Sequence, residues 1–163
     1  MIKGIFLNYK SKTAPKTKEH TTYQKARNIG ILYNAEEFAK GIIAKLINEL
    51  ANEEKTVSQL GFLEKPEDPK SVQEFLFTKK DISSVGSIKK ESIHTFVNQP
   101  FDFLISLDTS ENINYRYILA ASKATCKVGI ETETYRDLLL MSIKQSESPE
   151  DSVQNLVKYL RKI

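Results

Sequence analysis

The sequence predicts an α/β fold, a Rossmann-like three-layer sandwich with a mostly parallel five- to six-stranded sheet and helices on both faces. Three observations predict it. Two apolar runs, Asn28-Ile29-Gly30-Ile31-Leu32-Tyr33-Asn34 and Phe101-Asp102-Phe103-Leu104-Ile105-Ser106-Leu107-Asp108, each end at polar residues that open a helical pattern. Further strand-like runs alternate with helix-spaced stripes down the chain, the rhythm of a sheet built through crossovers. The length of 163 residues suits one domain, long enough to bury roughly 70% of the unfolded surface.

Residues 1–27 carry seven Lys/Arg against one acid, a net +6, whereas the rest of the chain carries 17 against 20. With Pro15 and several threonines, this stretch reads as a basic N-terminal arm, with a short helix over 2–9, ahead of a single domain over 28–163. The first strand runs to Tyr33. Asn34 is placed as a helix N-cap with Glu37 three positions on, and Phe38, Ile42, Ile43, Leu46 and Leu50 form the stripe of the helix that follows. Gly41 weakens that helix by about 1 kcal/mol relative to alanine and is expected to let it lie close on the sheet.

A second strand is expected over 56–63, a loop over 66–69, and a short third strand over 75–78 near one edge. The serines around Gly86 mark a loop, and a helix over 89–98 stops at Pro100. The fourth strand spans 102–107, after which Asp108, Thr109 or Ser110 caps a helix whose face is Ile113, Tyr117, Ala120, Ala121 and Ala124. A fifth strand over 126–131 and a sixth over 138–143 follow. Ser148-Pro149-Glu150-Asp151 opens the closing helix: a cap, proline at the first position, then two acids that complement the helix dipole.

The expected strand order is 3-2-1-4-5 with the sixth at the edge. The helices after strands 1 and 4 then leave on opposite faces, which makes the ends of those strands the topological switch point where such folds bind ligands. Asn34, Asp108, Thr109 and Ser110 are therefore the candidate ligand-binding residues. The crevice they form is acidic and hydroxyl-bearing and lacks the glycine pattern of a dinucleotide site, so no nucleotide cofactor is expected. Oxygen ligands of this kind suit a hard cation such as Mg²⁺, but acids in a first helical turn also serve capping alone.

No catalytic residues are assigned. Neither Ser106 nor Ser110 sits in a Gly-x-Ser-x-Gly elbow. His94 falls within a helical pattern, Cys126 lies in an apolar run, and two histidines with one cysteine do not make a zinc site. No signal-like or membrane-spanning stretch is present, and a cytoplasmic protein is expected.

The segments 101–108, Ile118-Leu119-Ala120-Ala121-Ser122-Lys123-Ala124 and Lys127-Val128-Gly129, with Ile29-Gly30-Ile31-Leu32 and Tyr159-Leu160, resemble a family of small uncharacterised Bacteroidota proteins, a domain of unknown function. The resemblance implies no activity. A stretch of about thirty residues, the aspartate-bearing strand, the small-residue helix and the Lys-Val-Gly strand, is also similar to the N-terminal half of heptosyltransferase-like glycosyltransferases, which implies a Rossmann-like fold. Those enzymes bind the sugar donor through a second domain for which this chain has no room. The resulting expectation is a non-catalytic interaction or binding domain whose basic arm makes protein or nonspecific polyanion contacts. The alternative is a metal-assisted enzyme, or a binder of a phosphate- or sugar-bearing ligand, acting at the crevice after strands 1 and 4.

Overall fold

The computed structural model describes residues 21–68 and 72–163, and the expected helix over 2–9 lies outside them. Among the described residues six strands form one sheet: β1 (Asn28–Asn34), β2 (Thr56–Phe62), β3 (Leu76–Phe77), β4 (Phe103–Leu107), β5 (Cys126–Ile130) and β6 (Met141–Ile143). Their order is β3-β2-β1-β4-β5-β6, and every neighbouring pair is parallel, the sixth strand included. The central strands β4 and β5 are buried at every position, which is why they read as unbroken apolar runs.

Among the described residues four α-helices cover this sheet: α1 (Lys40–Asn52), α2 (Glu91–Asn98), α3 (Ile113–Ala121) and α4 (Pro149–Leu160). Side chains alternate across each strand, so Ile29, Ile31, Ile105 and Val128 pack with α1 and α4 on one face. Leu32, Leu60 and Leu104 pack with α2 and α3 on the other. The helices α1 and α3 pack on opposite faces, so the switch point falls between β1 and β4 as the sequence predicts. Gly129 allows β5 to approach β4, because a Cβ there would come within 2.5 Å of the Ser106 carbonyl oxygen.

Three local expectations are corrected. Asn34 does not cap α1. The chain makes an extra turn over 35–39, and the helix begins after Ala39 without a side-chain cap. Nor does Asp108, Thr109 or Ser110 cap α3; Asn112 does, its Oδ1 accepting from Asn114 N–H at 2.9 Å. Gly41 faces outward, with nothing within 4 Å of an added Cβ, so it is not a contact with the sheet. The start of α4 is as expected: Ser148 Oγ accepts from Asp151 N–H at 3.1 Å, with Pro149 at the first position.

The N-terminal ends of the strands are tied together by charge. Lys55 is buried and its Nζ donates to the carbonyls of Tyr23 (2.6 Å) and Ala26 (2.7 Å), with the ammonium 4.4 Å from the Tyr23 ring centroid. Tyr23 Oη donates to Glu53, which also pairs with Arg161 beyond the end of α4. Asp102 accepts from the N–H groups of Arg27 and Asn28. Tyr23 and Ala26 are core residues, so residues 21–27 enter the fold at this end of the sheet. No helix among the described residues is long and apolar enough to cross a membrane.

Candidate functional site

The loops after β1 and β4 meet at the C-terminal end of the sheet and bring the four candidate residues together. Asp108 follows the last residue of β4 and is 0% exposed. Its Oδ1 accepts from Asn34 Nδ2 and from Ser110 Oγ, both at 2.7 Å. Its Oδ2 accepts from Glu111 N–H at 3.1 Å and from the hydroxyl of Tyr135. An ionised carboxylate has about four acceptor positions, and here all four are taken by neutral donors.

Asn34 is buried as well and joins the two loops. Its amide N–H groups face Asp108, Glu37 Oε1 (3.1 Å) and Ser110 Oγ (3.3 Å), while its Oδ1 accepts from Glu36 N–H at 2.9 Å. That last bond is a turn formed by the side chain of an asparagine, the local preference that diverts this residue from capping a helix. Glu111 adopts φ 58°, a left-handed conformation uncommon outside glycine and held here by its N–H bond to Asp108.

Thr109 lies across from Glu37. Its N–H donates to both carboxylate oxygens at 3.1 Å and its hydroxyl donates to Oε2 at 2.5 Å, so the two loops are latched. Burial raises the Glu37 carboxyl above its ordinary range against the Thr109 hydrogen bonds, and the neighbouring Asp108 carboxylate adds to the rise. Beside the latch a cavity of 290 Å³ is lined by Glu37, Thr109, Glu147 and Ser148.

Two tyrosines that the sequence reading did not connect to the crevice close it from within. Tyr115, fully buried on α3, donates to the Leu32 carbonyl at 2.7 Å and accepts from Leu107 N–H at 3.1 Å. Its hydroxyl thus bridges β1 and β4 at the end of their register, with Ser106 Oγ 3.0 Å away. Burial first, and then the negative charge of Asp108, raise the pKa of both Tyr115 and Tyr135, keeping them neutral donors. Arg116 is a third residue without a sequence signal: 3% exposed, it pairs through Nη2 with both oxygens of Asp137 at 3.2 Å and ties α3 to the segment before β6. An arginine in a helical stripe otherwise reads as a solvated position.

The remaining candidates stand apart from this site. His94 sits on α2, its Nε2 2.9 Å from the Ile88 carbonyl. Cys126 is buried in β5, and burial pushes its thiol up to about 11, far from a reactive thiolate. Among the described residues, no group of three or more His, Cys, Asp or Glu is placed to hold a metal ion.

An all-parallel sheet in this order, with polar loops meeting at its switch point, defines a doubly wound α/β domain of the Rossmann-like class. The chain belongs to a family of unknown function, DUF6913, whose model matches residues 3–163. No curated protein and no solved structure matches it.

Proposed function

We propose that this chain is a non-catalytic binding or interaction domain of the cytoplasm, whose switch-point crevice is closed by its own side chains and whose partners are met through the basic N-terminal arm. The state of Asp108 carries this reading: fully buried, with four donors on its two oxygens, it has no free position for a cation or a substrate hydroxyl. The arm's positive charge suits a protein acidic patch or a polyanion held nonspecifically. Binding of the full chain to a single-stranded oligonucleotide and to an acidic peptide, compared with a chain starting at residue 21, tests the arm. Cutting there spares Tyr23 and Ala26, which belong to the core. Equal binding by both chains at every salt concentration removes the arm from the reading.

A second reading, a metal-assisted enzyme or a binder of a phosphate- or sugar-bearing ligand at the same crevice, draws on Glu37. A half-buried carboxyl with a raised pKa beside a cavity is a recurrent feature of acid–base sites. A thermal-shift panel of Mg²⁺ and nucleotide sugars decides between the two. A ligand at a hundred times its dissociation constant adds about 2.7 kcal/mol. A shift of that size that disappears in Thr109→Ala would favour the second reading and sink the first.

A further inference from the structure

A second cavity of 290 Å³ lies where β2 and β3 end, on the far side of β1 from Asp108. Thr78, Lys79, Lys80 and Lys90 line it together with Glu64 and Asp81. We propose that it binds a small phosphorylated compound, a phosphate monoester, held by the Lys90 ammonium and the Thr78 hydroxyl with Lys79 and Lys80 supplying further positive charge.

Lys90 is not a free surface lysine. Half-buried at the start of α2, its Nζ donates to the carbonyls of Leu76 at 2.7 Å and Gln73 at 3.1 Å. Two of its three donors are thereby fixed, which orients the ammonium and leaves one N–H unspent among the described residues. Thr78 is buried, and its Oγ1 accepts from Lys80 N–H at 3.2 Å. Its own proton has no acceptor among the described residues, so a second donor is available at the same cavity.

Charge points to an anion. Asp81 accepts from Thr78 N–H at 2.8 Å within a capping box and keeps its charge, so three ammonium groups stand against two carboxylates, Glu64 and Asp81, and the lining is net positive. Like charges gathered in one concave site raise the local potential and attract an oxyanion. Lysine is a compact point charge well suited to phosphate. The volume sits at the lower end of small-ligand pockets, about 300–1,000 Å³, which fits a phosphate with a short substituent and excludes a dinucleotide. The site also lies at the strand end where parallel α/β sheets bind ligands.

Amide chemical shifts of the full chain, titrated with inorganic phosphate and with glycerol 3-phosphate at ionic strength held constant with NaCl, test the site. Saturable shifts at Thr78, Lys80 and Lys90, without shifts at Thr109 and Ser110, are expected. Lys80→Ala alters an exposed residue and is expected to weaken binding by about fivefold, with Lys90→Met weakening it by at least tenfold. Lys90→Met also frees two carbonyls, so Lys80→Ala carries the test if that variant unfolds. Shifts spread over surface lysines, shifts reproduced by NaCl alone, or unchanged affinity in Lys80→Ala would overturn the proposal.

Discussion

At the C-terminal ends of the strands, Asp108 is sealed among four hydrogen-bond donors, none of them charged. At the N-terminal ends, Lys55 is sealed by two carbonyls and a tyrosine ring within a network that also holds Glu53 and Arg161. The neighbours record the difference. Around Asp108 the ionisable groups Glu37, Tyr115 and Tyr135 all have raised pKa values, because burial and one uncompensated negative charge act together. Around Lys55 the effects oppose. Burial acts to raise Glu53, but its bonds to Tyr23 and Arg161 hold it below its ordinary value, and Glu53 raises Arg161 in return. One end concentrates its electrostatics in a single carboxylate, and the other distributes them over partly exposed partners.

That contrast is broken most directly at Asp108. Asp108→Ala leaves the buried donors of Asn34 and Tyr135, and those of the exposed Ser110 and Glu111, without their acceptor, and releases the bond that holds the Glu111 turn. A loss of about 3–5 kcal/mol is expected in urea unfolding, since stranded buried donors each cost on the order of 1–3 kcal/mol and share some relaxation. A loss below about 1 kcal/mol would mean that the loops do not depend on this carboxylate.

Much of this end was legible in the sequence as position and little of it as pairing. The two apolar runs located β1 and β4, and the crossover rule placed Asn34 and Asp108 side by side. Their roles were not legible, because asparagine and aspartate after a strand serve equally well as helix caps, turn formers or ligands. What decides is contact over long chain separation: Tyr135 is 27 residues from Asp108, and Tyr115 is 83 from Leu32. Neither tyrosine differs in the sequence from an ordinary core aromatic. The cap of α3 fell on Asn112 because Asp108 and Ser110 were already bonded to each other.

The pH dependence of stability sharpens the comparison at an intermediate level. Glu37 has a folded pKa above its unfolded one, so the folded state binds its proton more tightly. The stabilisation from that proton is fully present below the unfolded value and is lost as pH rises through the folded value. Glu37→Gln is expected to flatten this decline. It retains one acceptor for Thr109, so at neutral pH its stability should fall within about 1 kcal/mol of the parent chain. Urea midpoints measured from pH 4 to pH 8 check the point. An undiminished decline in the variant would assign it to another carboxyl.

The smallest effect is expected at the other end of the sheet. Glu53 and Arg161 have side chains 31% and 43% exposed, so water and salt screen their attraction. Glu53→Gln keeps an acceptor for Tyr23 and for Arg161 while removing the charge that acts to raise Lys55 and Arg161. The expected loss is about 0.5 kcal/mol, shrinking further in 0.5 M NaCl, because Lys55 retains both backbone carbonyls and the Tyr23 ring whether or not Glu53 is ionised. A loss above about 2 kcal/mol would show that Lys55 relies on Glu53 as its counter-charge, and the two ends would then use the same device. In that case the segment 21–27 is fastened to the domain by a charge pair, and raising the salt concentration should loosen it while leaving the latch between Glu37 and Thr109 closed.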